Sequence, residues 1–233
     1  MASLKHVSLT WTTFLLLLLF LMTGFDQSHL KELKGKSAEL EKAQMLNDKA
    51  SFLTKSEELS WDAGYHEWND ARQAAEILKE ESGGSFQIDW GTYMVYQAEK
   101  KDIPPSLVFE LLKVETGGTF DPKLTGPPTK YGHAYGLAQF MKNTGPWIAD
   151  MADLPYSHSM LFDPFYSIQL SVEYLHYLHG EYRNWNQALT AYHRGVGGLE
   201  EYEEKHGHAR SWYAEEIQNK ADQLGDLTEK GQP

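Results

Sequence analysis

Between residues 86 and 221 apolar side chains return every three or four positions, the period of helices buried along one face. Trp90 to Lys101 reads as one helix. Pro104 and Pro105 open a second, with Leu107, Val108, Leu111 and Leu112 on one side and Gly117-Gly118 as its stop. Thr144 to Ala152 is a third. Asp163-Pro164 caps and starts a fourth, whose apolar face is Ile168, Val172, Leu175 and Leu178. Trp185, Ala188, Leu189 and Tyr192 mark a fifth, stopping at Gly195, and Tyr213, Ile217 and Leu224 mark a sixth. Long alternating stretches are missing, so a large sheet is not expected. The glycine- and proline-rich stretch 117–136 has room for a small hairpin. The pattern predicts a mainly α domain.

Outside that region the pattern changes twice. A run from about Val7 to Phe25, preceded by Lys5 and His6, is apolar enough and long enough to span a bilayer. Leu21-Met22-Thr23 is a poor cleavage site, so residues 1–25 read as an uncleaved signal-anchor, with a cleaved signal peptide as the alternative. Residues 26–84 are rich in Lys, Glu, Ala, Gln and Ser, and Leu30, Leu33, Leu40, Leu46 and Leu53 are too irregular for heptads. They read as a helical stalk or linker. Trp61, Tyr65 and Trp68 predict that a helix there packs on something, and Ser82-Gly83-Gly84-Ser85 predicts the final link to a compact domain spanning 85–222. Residues 223–233 read as a polar tail.

Composition narrows the chemistry. The net charge is -12, which repels phosphates and argues against nucleic acid. With no cysteine, disulfides, thiolate nucleophiles and thiolate metal sites are excluded. Ten histidines call for a check of metal spacing. His176 and His179 with Glu173, and His206 with His208, fit no standard zinc signature, so no metal and no cofactor are expected.

Val108, Leu111, Leu112 and Glu115 fall at i, i+3, i+4 and i+7, which places Glu115 on the buried face at the C-terminal end of its helix. Burial and the negative end of a helix dipole both raise a carboxyl pKa, the property of a general acid near neutral pH. Periodicity alone favours the plainer reading, a partly exposed Glu at a frayed helix end. Tyr192 ends its own helix face in the same way and can direct a hydroxyl at a neighbour or serve as core. Asp121 and Asp163 each precede proline, where turn and cap duty is expected.

Five segments, in order, resemble one family. Val114-Glu115-Thr116-Gly117-Gly118-Thr119-Phe120-Asp121-Pro122 is similar to the Glu-Ser-x-x-x-(Asn/Asp)-Pro segment of the soluble lytic transglycosylases. Gly136-Leu137-Ala138-Gln139-Phe140-Met141 resembles their Gly-Leu-Met-Gln segment. Asp163-Pro164-Phe165-Tyr166-Ser167-Ile168, with Tyr174-Leu175, resembles their Asp-Pro-x-x-Asn-Ile…Tyr-Leu helix. Ala188-Leu189-Thr190-Ala191-Tyr192-His193-Arg194-Gly195 resembles Ala-Leu-x-Ala-Tyr-Asn-x-Gly, and Ser211-Trp212-Tyr213 falls where a late Tyr precedes a final helix. Ala138, Ser167 and His193 replace the usual Met, Asn and Asn. The loop 123–135 is unusual, and Thr125 is its nearest match to the family's serine.

The resemblance implies a lysozyme-like helical fold of the goose-type superfamily. It implies that Glu115 protonates the β-1,4 oxygen between N-acetylmuramic acid and N-acetylglucosamine, then deprotonates the muramoyl C6 hydroxyl to close a 1,6-anhydro ring. Gln139 and Thr125 would line the sugar groove, and Tyr192, Tyr213 and His193 would contact Glu115 or substrate. The implied partner is the peptidoglycan glycan strand, met on the outer face of a cell membrane; the sequence names no protein partner. Two other readings stay open. One is a goose-type hydrolase in which water attacks, and the other is a non-catalytic wall-binding scaffold of a secretion or conjugation apparatus.

Overall fold

The computed structural model describes residues 65–225 and 227, with shorter pieces at 29–37, 39–40 and 43. The short pieces are helical and belong to a unit of their own, Met1–Asn47, in which exposed Lys36 and Glu32 pair at 2.8 Å one turn apart. The apolar run 7–25 lies outside the described residues, and among those described no helix is long and apolar enough to cross a membrane.

The second unit, Asp48–Pro233, carries the core. Its helices are α1 (Tyr65–Glu81), α2 (Ile88–Lys100), α3 (Pro105–Glu115), α4 (Gly145–Met151), α5 (Pro164–Tyr182), α6 (Trp185–Arg194), α7 (Val196–His206) and α8 (Trp212–Leu224). A 3-10 turn covers His158–Phe162. Two short strands, β1 (Ala134–Tyr135) and β2 (Phe140–Met141), form an antiparallel hairpin in which Ala134 faces Met141. The mainly α reading holds. The hairpin differs from expectation in place: only its first strand falls within 117–136, and the second uses residues from the Gly-Leu-Ala-Gln segment.

Helix α5 runs through the centre. Asp163 caps it by accepting from the backbone N–H groups of Phe165 and Tyr166. From Tyr166 to Val172 every side chain is buried, polar Ser167, Gln169 and Ser171 included, so the helix has no solvent face there. Its polar groups are partnered instead. Tyr93 on α2 donates to Gln169 Oε1 at 2.8 Å, Gln169 Nε2 donates to Glu173 at 2.9 Å, and Lys101 closes the chain on Glu173 at 2.9 Å.

Helix α1 lies in residues assigned from sequence to the stalk, yet Ala71, Ala74 and Leu78 belong to the same buried core as α2 and α5. The crossing is close because both sides are small: a Cβ on Gly91 of α2 would come within 2.8 Å of the Ala75 Cβ. Gly83 and Gly84 are therefore a helix cap rather than a linker. Both take positive φ, and their N–H groups return to the carbonyls of Glu80 and Lys79. Phe86 then enters the core against Phe109 and Phe120, whose rings stack at 5.2 Å. At the other end Leu227 is buried, so the expected polar tail from 223 begins with core residues. Helix α7 has no counterpart in the sequence reading, which stops at Gly195; that glycine ends α6 and starts α7.

Candidate active site

Glu115 is the last residue of α3. The chain must turn sharply after it, and the sequence supplies the means. Thr116 donates its hydroxyl to the Leu112 carbonyl at 2.8 Å and accepts from the Phe120 N–H. Gly117 and Gly118 follow with positive φ, and the Gly118 N–H reaches the Lys113 carbonyl at 2.7 Å. This tight cap fixes the end of α3 and leaves the Glu115 side chain aimed into a cleft of about 1040 Å³.

Helix α8 supplies the partner. Tyr213 is buried and donates its hydroxyl to Glu115 Oε1 at 2.5 Å. Its position is set by a buried hydroxyl chain: Thr190 on α6 donates to the Ala209 carbonyl at 2.7 Å and meets Ser211 Oγ at 2.7 Å, while Ser211 caps α8 by accepting from the Ala214 N–H. Burial raises the Glu115 pKa from 4.5 to about 7, and the Tyr213 hydrogen bond pulls it back in part. Glu115 is half-buried and lines the open cleft. Burial, with the Glu115 charge adding, holds the Tyr213 phenol well above its ordinary 10, so it remains a donor.

The opposite wall is the segment 136–141. A Cβ on Gly136 would come within 1.8 Å of the Leu161 carbonyl oxygen, and Gly136 has φ 75, so only glycine fits. Ser167 accepts from the Ala138 N–H at 3.0 Å, and the Ala138 carbonyl accepts from the Tyr192 hydroxyl at 3.1 Å. Gln139 adopts φ 50 and donates through Nε2 to the Gly136 carbonyl at 2.8 Å. Tyr192 thus meets the loop rather than Glu115, and its ring packs on Phe140 and Tyr174. Gln139, Tyr192 and His193 all line the cleft with Glu115.

His193 makes no hydrogen bond among the described residues, so it does not take over an amide's structural bond. Its ring stacks parallel on Tyr213 at 4.6 Å and edge-on to Trp212 at 5.5 Å. Burial first, then the Arg194 charge, lowers its pKa from 6.5, so it is neutral at pH 7. Thr125 is exposed, bridges to Tyr135, and is not among the cleft's lining residues, where its neighbours Gly126 and Pro127 stand. Asp121 accepts from the Lys123 N–H in a turn and Asp163 caps α5, as expected. Among the described residues no group of three or more His, Cys, Asp or Glu could hold a metal.

The Transglycosylase SLT domain profile matches residues 92–214, more than half of the chain. The chain belongs to the SLT transglycosylase family. All of the site geometry above, from Glu115 to Tyr213, falls within the matched span of this SLT domain. Among solved structures the chain is similar to an inactive mutant of the lytic transglycosylase Slt from Pseudomonas aeruginosa, at 22% identity and TM-score 0.49, covering 60% of this chain and 24% of that one. It is also similar to the 70 kDa soluble lytic transglycosylase Slt70 from Escherichia coli, at 21% identity and TM-score 0.48, covering 58% and 24%. The chain thus spans about a quarter of the length of either structure. No curated protein matches it.

Several residues of this SLT domain's cleft carried no signal of their own in the sequence. Ser167 was visible only as a departure from Asn, yet it holds the Ala138 N–H. Tyr131, Lys130, Arg194 and Lys205 also line the cleft. Lys130 and Tyr131 sit on the unusual loop and Lys205 on α7, where neither periodicity nor motif placed a site, and Arg194 ends α6 at a position the family motif leaves open.

Proposed function

We propose that this SLT domain is a peptidoglycan lytic transglycosylase with Glu115 as its acid and base. The observation that carries the reading is a carboxyl with a pKa near 7 that lines a cleft of about 1040 Å³ and is held by a single phenol. Protonated Glu115 donates to the glycosidic oxygen as the bond to the muramoyl C1 breaks. The muramoyl acetamido group stabilises the cation at C1. The Glu115 carboxylate then takes the proton of the C6 hydroxyl, O6 bonds to C1, and the acid is restored with no water consumed. Such substrate assistance dispenses with a second carboxylate. The one other carboxylate among the described lining residues, Glu201, stands on α7. Gln139, Tyr192 and His193 are the side chains we assign to sugar contact.

We also propose that the run 7–25 holds the domain at the outer face of a membrane, from its length and basic flank. Membrane fractionation of the full chain, compared with a chain beginning at residue 60, tests this.

The test of function is mass spectrometry of fragments released from purified peptidoglycan. Anhydro-muramoyl ends, one water lighter than reducing ends, are expected. Reducing ends would make the domain a hydrolase, and no release at all would leave a wall-binding scaffold.

A further inference from the structure

The chain carries a net charge of -12, yet one side of the cleft is cationic. Lys130, Arg194 and Lys205 line it, against Glu201 and Glu115, whose burial favours its neutral form. Lys130 is answered locally: the Tyr131 hydroxyl first, and Glu201 last, favour its charged form. Arg194 and Lys205 form no ion pair among the described residues.

Arg194 is also held in place. Its guanidinium carbon lies 4.8 Å from the centre of the Tyr202 ring, a cation–π contact that restrains the side chain. Its stem runs against Gly198, where any Cβ would come within 2.8 Å of the Arg194 Cβ. The backbone of α7 thus leaves room for this side chain, and Tyr202 and Lys205 follow on the same helix.

A β-1,4 polymer of N-acetylglucosamine is neutral and offers two unpaired cations no opposite charge. Muramic acid differs by its 3-O-lactyl arm, which ends in a carboxyl that is free or is extended by a stem peptide bearing carboxylates. We propose that Arg194 and Lys205 form a carboxylate-binding subsite that reads the lactyl arm of the muramoyl residue, a proposal that rests on the lytic reading of the cleft. Bidentate donation from a ring-restrained Arg suits a carboxylate better than a neutral hydroxyl. The subsite would separate muramoyl strands from neutral chitin-like strands by affinity.

The test uses the full chain in detergent and four soluble strands: peptide-bearing, amidase-stripped, and each again with its carboxyls converted to neutral amides. Kd and KM are measured at low and high salt. The wild type is expected to favour at least one charged strand over its neutral counterpart by roughly tenfold at low salt. Arg194→Gln should lose that preference through Kd and KM with kcat little changed, and Lys205→Gln should lose part of it. Arg194→Lys, which keeps the charge without the fork, should retain an intermediate preference. Preference for the stripped strand identifies the free lactyl carboxylate as the ligand, and preference confined to the peptide-bearing strand identifies the stem. Equal binding of charged and neutral strands by the wild type, or an unaltered preference in folded Arg194→Gln and Lys205→Gln proteins, overturns the subsite. A wild type that cleaves no strand overturns the lytic reading instead, and the binding comparison still decides the subsite.

Discussion

A carboxyl enclosed by protein without a cation resists ionisation, and Glu115 has only the Tyr213 hydroxyl to offset its burial. The consequence for stability has a definite sign. Below about pH 4.5 the group is protonated folded or unfolded. Between 4.5 and 7 the unfolded chain loses the proton and the folded one keeps it, so stability declines as pH rises, and the penalty is complete above 7. Glu115→Gln, which removes the charge, should therefore raise stability by about 1–3 kcal/mol at pH 8 and leave it unchanged at pH 4, read by urea unfolding at each pH. A second expectation concerns the phenol. Tyr213→Phe removes the interaction that lowers the Glu115 pKa, so the alkaline limb of the pH–rate profile, expected near 7 in the wild type, should move upward, with kcat reduced about tenfold at the optimum. A limb that stays put or moves down would separate Tyr213 from the acid. Periodicity could place Glu115 and Tyr213 each on a buried face. Their pairing spans 98 residues of sequence, and no local pattern encodes that distance; the order of the five motifs brought them into one site.

Elements with strong apolar contrast were legible, and those without it were not. Helices α3 and α5 announce themselves through Leu, Val and Ile at helical spacing, a proline at the start, and in α5 an Asp cap. Helix α1 hides because its buried face is largely alanine: Ala71, Ala74 and Ala75 contrast little with the Lys, Glu and Gln around them. Helix α7 hides behind Gly195, Gly197 and Gly198 and a run of charge, with Leu199 its one buried side chain. The placement of α1 predicts that a chain beginning at residue 85 loses Leu78 from the core and uncovers the face of α2 at Gly91. Leu78 alone is worth about 1.5–3 kcal/mol. Thermal unfolding should find the chain from 85 less stable than one from 60 by roughly 3 kcal/mol or more, and equal stability would return α1 to the stalk. The loop opposite Glu115 makes a comparable demand at Gly136. Gly136→Ala drives a methyl into the Leu161 carbonyl and should cost roughly 2–4 kcal/mol, with loss of glycan binding as the Ala138–Gln139 wall shifts.

At the scale of the molecule, α3 brings the acid, α8 the phenol, and the hairpin and α5 the wall opposite, while α6 and α7 close the side. The cleft is an assembly of elements far apart in the chain, which is why its lining was only partly legible: Gln139, Tyr192 and His193 line it, and Thr125 does not. The proposed mechanism turns on one proton. Glu115→Gln keeps the side chain's shape and its bond from Tyr213 while removing the proton that this mechanism gives and retakes. The decisive measurement is release of soluble fragments from purified peptidoglycan by wild type and Glu115→Gln, with folding of both checked by thermal unfolding. The mutant is expected to lose at least about a thousandfold in rate while remaining folded and still binding the strand. A folded Glu115→Gln protein that releases fragments at the wild-type rate would contradict the account.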